Sequence, residues 1–490
     1  MLFNSFHFLV FFLLITVVYY ILPHKFRWIL LLAGSYYFYM CWRAELIVLI
    51  VFVTFINYLF SLRIQKVGKE RGRNYLIACM VINFGLLFVF KYLNFFTDSI
   101  TAVVNSLGIA YTRPEFDIIL PMGISFYTFQ AAAYTIDVYR GRIKAVRHYG
   151  KFSLFISFFP QLVAGPIERS ENLLPQFYKK MRFSLPRTVY GLKIMLWGFF
   201  KKIVIADRAA VAVNTVYNSA EYYSGLYFVL ATVIFAMQIY CDFSGYSDIA
   251  KGCAKILGFD LMENFERPFL AGNIKDHWRR WHVSLSSWFM DYVYIPLGGN
   301  RKGNLKKYRN LLITFMVSGL WHGAAWTYVI WGTIHGIGVI FYNIMADKMY
   351  RLRRFLRTDK IKIIGGIYNF IAVFVTFAFV CFTFIFFRSN TMSDCIFILK
   401  HLLWDFRIWA TPQYLFNVFT GMGLGLFEWA VLLGAIIYLM GSEIFVGGNI
   451  HDRFRKKSAL SNAVFYGIAA TFVLLAGVYY NAGEFIYFQF

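Results

Sequence analysis

Long apolar stretches recur from one end of this chain to the other, and most gaps between them carry lysine or arginine. Such stretches fall near residues 7–22, 28–42, 46–62, 75–96, 117–138, 188–205, 224–243, 325–346, 363–387, 424–443 and 462–480. A helix needs about 20 apolar residues to cross a bilayer, so several of these are short for the task. Composition agrees with a membrane setting. Apolar residues make up 59% and charged residues 15% of the 490, against about 45–50% and about 25% in soluble domains. No soluble fold hides that much apolar surface, and disorder, collagen-like repeats and a small disulfide scaffold are excluded. The reading is an all-α, polytopic membrane protein with roughly 11 transmembrane helices. Shorter or broken segments near 97–108, 152–166 and 310–321 add re-entrant and interfacial pieces around a central funnel or pore.

The net charge of +24 would suggest nucleic acid in a soluble chain. Here the cations lie in short clusters between apolar runs, which the positive-inside rule explains. No nucleic-acid partner is expected. The clusters at 63–73, 140–151, 301–309, 348–362 and 453–457 are expected in the cytoplasm. The sparse loops near 97–117 and 388–423, the C-terminal tail and the N-terminus then fall outside. Phe8 to Leu22 reads as a retained first span, with no basic residue before it and no small-x-small site after it. The six cysteines form no C-x-x-C pair and suit buried packing. The chain reads as one integral-membrane domain, with peripheral spans in 1–110, a catalytic core in 117–346 and C-terminal spans in 363–490.

Two segments break in ways a regular helix does not tolerate. The run Phe158-Phe159-Pro160-Gln161-Leu162-Val163-Ala164-Gly165-Pro166 holds two prolines and a glycine, yet is too apolar for an ordinary loop. It reads as a re-entrant segment lining a cavity, with Gln161 a candidate lining residue. The second break is Ser318-Gly319-Leu320-Trp321-His322-Gly323. Eleven or so residues of helix from Leu311 rise about 16 Å, roughly half of an apolar core about 30 Å thick. His322 therefore falls near mid-membrane, at the tip of a hairpin. An ionisable group at that depth is costly and points to function. A neutral imidazole there can serve as a general base toward a hydroxyl or as a covalent nucleophile, and the sequence alone leaves both open.

The other histidines are weaker signals. His282 lies in Trp278-Arg279-Arg280-Trp281-His282-Val283-Ser284-Leu285-Ser286, an aromatic and basic stretch that by itself suits an interfacial helix. His335 follows His322 by 13 residues, about 220° round a helix, and suits packing or a hydrogen bond. His277 and His282 are about 140° apart on a helix, and no H-E-x-x-H occurs, so no metal is expected. Asp242 and Tyr240, at the end of the 224–243 run, are lining candidates, with a helix-terminal or loop-organising role for Asp242 favoured over catalysis.

These motifs resemble the membrane-bound O-acyltransferase family, and within it the bacterial alginate O-acetyltransferase subunit type. The resemblance rests on Arg280-Trp281-His282-x-Ser284-Leu285-Ser286, then Tyr294-Ile295-Pro296-Leu297-Gly298-Gly299-Asn300, then Trp321-His322-Gly323, with Phe386-Phe387-Arg388-Ser389 beyond. Peptidoglycan O-acetyltransferases and teichoic-acid D-alanyl transferases are related branches. By this resemblance His322 is the principal catalytic histidine and His282 a second one. Trp321, Trp281 and Arg280 are substrate-binding or pore-lining candidates.

The resemblance also implies an acyl thioester donor such as acetyl-CoA, no bound cofactor and an exported cell-envelope polysaccharide acceptor. An extracytoplasmic partner protein, membrane lipids and the bacterial cytoplasmic membrane complete the expectation. D-alanyl transfer, transfer to teichoic acid or peptidoglycan, or a transporter without covalent chemistry are the rival readings. His277 stands where the family pattern has an aromatic residue, and Met290 where a basic residue is common. Both departures bear on the donor side.

Overall fold

The computed structural model describes residues 1–113, 116–301, 303–358, 360–448, 450–479 and 485–486. Lys302 and Asp359 of the basic clusters, and most of the C-terminal tail, lie outside the described residues. Among those described, the protein is 77% helix with no strand. Six helices are long and apolar enough to cross a membrane: Ala44–Ser106, Leu226–Leu257, Trp326–Phe355, Lys362–Arg388, Leu426–Val446 and Ala459–Ala476.

These six hold seven of the eleven expected spans. Ala44–Ser106 carries both 46–62 and 75–96, joined where Gly68 adopts φ 78° and breaks the helix direction. Three of the other four expected spans fall on helices of 16, 17 and 16 residues, short of the usual crossing length. The fourth, 188–205, begins in Leu185–Phe199 and continues without a break through the π-helical turns of Phe200–Ala206.

The chain divides into two compact units. The first comprises Met1–Met195 and Ser247–Met262, the second Leu196–Tyr246 and Glu263–Phe490. In chain order the helices of the first are α1 (Phe6–Ile21), α2 (His24–Met40), α3 (Ile47–Leu87), α4 (Leu93–Ser106), α5 (Ile124–Tyr139), α6 (Tyr149–Ser157), α7 (Ser170–Leu173) and most of α8 (Leu185–Phe199). Helix α5 is buried almost throughout, and a polar knot fastens it. Thr135 donates to Asn57 Oδ1 at 2.7 Å, and Asn57 donates to Asn83 at 2.9 Å. Inside lipid, such pairs hold helices together where the hydrophobic effect cannot.

The break after α6 falls where Pro160 and Pro166 require it. Residues 158–165 turn tightly, with Leu162 N–H donating to Phe158 O at 3.0 Å. Gln161 Nε2 donates back to Phe155 O at 3.0 Å and closes the last turn of α6. Just beyond, Glu168 is buried and accepts from Met262 N–H at 2.5 Å and from Asn172 at 2.8 Å. Burial pushes its carboxyl up to about 7.

The second unit contains α9 (Asp207–Tyr217), the first two-thirds of α10 (Leu226–Leu257), α11 (Ile274–Arg280), α12 (Val283–Phe289), α13 (Gly303–His322), α14 (Trp326–Phe355), α15 (Lys362–Arg388), α16 (Met392–His401), α17 (Pro412–Gly421), α18 (Leu426–Val446), α19 (Ile450–Arg455) and α20 (Ala459–Ala476). One expectation is corrected here. The apolar run at 224–243 does not end its helix at Asp242. Helix α10 continues to Leu257, so Asp242 is an interior helical residue. It is tolerated because Lys202 meets it at 2.7 Å and the N–H of Ile486 donates to it at 2.7 Å. Lys202 also pairs with Asp207 at 2.8 Å. A buried charge persists only when paired in this way.

Candidate active site

The site is built on the hairpin of α13 and α14. Helix α13 ends at His322, a three-residue turn follows, and α14 begins at Trp326. Two glycines bring the helices together. A Cβ placed on Gly319 would lie 2.2 Å from Tyr328 O, and one on Gly332 would lie 2.2 Å from Phe315 O. Gly319 on α13 and Gly323 in the turn just past its end, with Gly332 and Gly336 on α14, make a pair of G-x-x-x-G spacings. This spacing lets backbones approach closely. The pattern was available in the sequence, and hydropathy alone passes over it.

This close crossing sets His322 deep in the unit, 2% exposed. Its ring lies 5.0 Å from those of Trp321 and Trp331 and 5.6 Å from that of Phe387. Trp331 comes from α14 and Phe387 from α15, so three helices contribute walls. The fourth neighbour is His282, whose ring centroid is 6.5 Å from that of His322.

His282 arrives from a different part of the chain. Helix α11 starts with Asn273 capping Asp276 N–H at 2.9 Å and stops at Trp281. His282 then adopts φ 43°, ψ 55°, a left-handed conformation unusual for a non-glycine residue. Such a backbone costs about 1–3 kcal/mol and persists only when its surroundings impose it. Here Glu266 N–H donates to Arg280 O and Val283 N–H to Asn264 O, each at 2.9 Å. The Asn264 side-chain oxygen meets His282 Nδ1 at 3.0 Å and Ser284 Oγ at 2.9 Å. Fully buried, the His282 imidazole is pushed down to about 3 and stays neutral around pH 7. Phe243 presents its edge or face at 4.7 Å and 90°.

Four of the other candidates group around these rings, in graded proximity. Trp321 touches both histidines, at 5.0 and 6.0 Å. Trp281 is 2% exposed and packs on Phe265 at 5.1 Å and His277 at 5.7 Å, which makes it a wall behind His282. Tyr240 lies behind that wall, 6.3 Å from Trp281, with its hydroxyl donating to Glu443. Asp242 is taken up by Lys202, next to the Phe243 that meets His282. Arg280 is partly exposed and pairs with Asp276 at 2.9 Å. Gln161 belongs to the first unit, in the turn described above.

His335 has a packing and hydrogen-bonding place, as its spacing suggested. It accepts from Trp278 Nε1 at 3.2 Å, so its other nitrogen donates to Thr383 Oγ1 at 2.9 Å. Among the described residues no three metal-ligating side chains converge.

A cavity of about 520 Å³ opens beside this cluster. Lys275, Arg279 and Lys307 bring positive charge to it, Trp278 and Phe315 supply apolar wall, and Ser318 is also in the lining. Ser318 is one helical turn before His322 on α13, about 6 Å along the axis. The cavity thus pairs a cationic lining suited to phosphate groups with a wall that leads along α13 to the histidines.

Comparison with known proteins follows the same residues. The family model described as MBOAT, membrane-bound O-acyltransferase family, matches residues 144–389. The chain is 41% identical over 339 residues to a protein of Azotobacter vinelandii named "Probable alginate O-acetylase AlgI", covering 69% of this chain and 67% of that one. It is 33% identical over 400 residues to a "Peptidoglycan O-acetyltransferase" of Helicobacter pylori, covering 76% and 73%. It is 30% identical over 296 residues to a "Teichoic acid D-alanyltransferase" of Bacillus subtilis, covering 57% and 71%.

Proposed function

This chain belongs to the membrane-bound O-acyltransferase family and is an acyltransferase, and from that premise we propose that it moves an acetyl group from a cytoplasmic thioester, acetyl-CoA, toward hydroxyls of an exported cell-envelope polysaccharide of the alginate kind. Residues 117–346 serve as its catalytic core. The observation that carries the reading is the pairing of His322 and His282, ring to ring at 6.5 Å, beside a cavity lined by three cations.

The chemistry needs few groups. The donor thioester is already activated, so the site supplies proximity and proton transfer, the latter worth about 10²–10⁴-fold. The acceptor oxygen attacks the thioester carbonyl while His322 takes the hydroxyl proton. The carbon–sulfur bond breaks, the ester forms, and the departing thiolate recovers the proton from the imidazolium. Lys275, Arg279 and Lys307 hold the phosphates of the donor. The aromatic walls around His322 keep water away from the thioester. The basic loops face the cytoplasm, and the polymer meets the acyl group from the opposite side of the cytoplasmic membrane. A second, extracytoplasmic protein receives the acyl group or presents the polymer. The similarity to alginate and peptidoglycan O-acetyltransferases favours acetyl over D-alanyl transfer, and polysaccharide over teichoic acid.

The test is label transfer from radioactive acetyl-CoA to alginate oligosaccharide by the purified protein in detergent, comparing wild type with His322→Ala. We expect a loss of about 10²-fold or more in the variant. Equal transfer by both would remove His322 from the mechanism. Polymer movement across vesicles without any transfer would favour a carrier.

A further inference from the structure

We propose that Asn264 is a positioning residue for the reaction, setting the ring of His282 in the tautomer that presents its lone pair at Nε2. The inference rests on the acyltransferase reading above. Its argument begins from a group whose chemistry is unambiguous. The backbone N–H of Ser284 can only donate, and it meets the Asn264 side chain at 3.3 Å. The atom it meets is therefore the amide oxygen. That same oxygen lies 3.0 Å from His282 Nδ1. An amide oxygen only accepts, so Nδ1 must carry the hydrogen. A neutral imidazole has one N–H, which leaves the lone pair on Nε2.

Asn264 also holds the backbone beneath this ring. Its main-chain oxygen accepts from Val283 N–H at 2.9 Å, directly after the left-handed residue. One asparagine thus fixes both the peptide direction and the ring orientation of His282. A serine or water in its place could donate or accept, and the tautomer would no longer be determined. An asparagine holds it unchanged across the working pH range. An acceptor at Nε2 lets His282 hold a substrate hydroxyl in place while His322 takes the proton. The rings packed on this one are Phe243 from α10, Phe265, Trp321 from α13 and the titratable His322.

The experiment uses the full-length protein in detergent and the same acetyl-CoA transfer assay. Asn264→Ala should lower kcat by about 10²-fold with donor KM changed little, as expected when a catalytic histidine loses its orienting partner. Ser284→Ala removes a hydroxyl that lies 2.9 Å from the Asn264 oxygen and 3.4 Å from His282 Nδ1 but keeps the Ser284 N–H and the Asn264 to His282 contact, so it should lower kcat less than Asn264→Ala does. Asn264→Asp is the decisive variant. A carboxylate at this distance favours imidazolium, so the acid limb of kcat/KM should move up by about one pH unit or more. If Asn264→Ala retains wild-type kcat, the inference is overturned. It is also overturned if Asn264→Asp restores both stability and an unshifted pH profile, since Asn264 would then serve only the fold. If the wild-type protein transfers no acetyl group, it is the proposed function that fails.

Discussion

At the scale of single residues, several buried charged groups are each held by a partner. Lys202 serves Asp207 and Asp242 together, and Tyr240 serves Glu443. Glu168 is the residue whose burial can be read by pH. Its folded carboxyl is raised to about 7 from an ordinary 4.5. A raised acid contributes its full stability below the unfolded value and loses it as pH climbs through the folded one. The protein should therefore lose up to about 3 kcal/mol between pH 4.5 and 7 through this group. Glu168→Gln should flatten that part of the pH profile of the thermal midpoint in detergent. An unchanged slope in the variant would show that Glu168 is not its source.

At the scale of elements, the α13–α14 hairpin is what turns a sequence position into a site. Its turn places His322 against Trp331, and the contact depends on two helices touching at Gly319 and Gly332. A larger side chain meets backbone there, which cannot move aside as a flexible side-chain tip would. Gly332→Val should part the helices at a cost of about 1–3 kcal/mol and carry His322 away from its neighbours. Acetyl transfer should fall by about 10²-fold, since misplacement of a reacting group by about 1 Å has that effect. Gly441→Val on α18, where a Cβ would meet nothing within 4 Å, is the matched control and should leave transfer unchanged. Similar transfer by the two variants would count against the role of the crossing.

At the scale of the whole molecule, the distribution of charge is expected to orient the chain. The cluster at 63–73 is expected in the cytoplasm and the segment near 97–117 outside. In a Cys41→Ser background, a membrane-impermeant maleimide applied to intact cells should label Ser106→Cys and leave Lys69→Cys unlabelled until the cells are opened. The opposite pattern would invert the orientation and the proposed direction of acyl movement.

Much of this architecture was legible without coordinates because it depends on local properties. Apolar length located helical stretches, prolines located the break after α6, and helix rise placed His322 at a hairpin tip. Those quantities concern neighbours along the chain. The reading failed where a distant partner changed the local outcome. An aspartate after an apolar run suggests a helix end, but Lys202 lies 40 residues earlier and allows α10 to run on through Asp242. Asn264 carried no signal at all, because its importance lies in a hydrogen bond to a residue 18 positions later.

The sequence by itself thus determined that the protein is helical, that it belongs in a membrane, and which histidines carry the family motifs. Only the tertiary structure decided that those histidines share one aromatic enclosure, which side chain sets the ring of the second, and which helices crowd close enough to hold both. The division has a physical cause. Partition into lipid is a sum over consecutive residues, whereas the orientation of an imidazole is imposed by atoms that meet it across folded space.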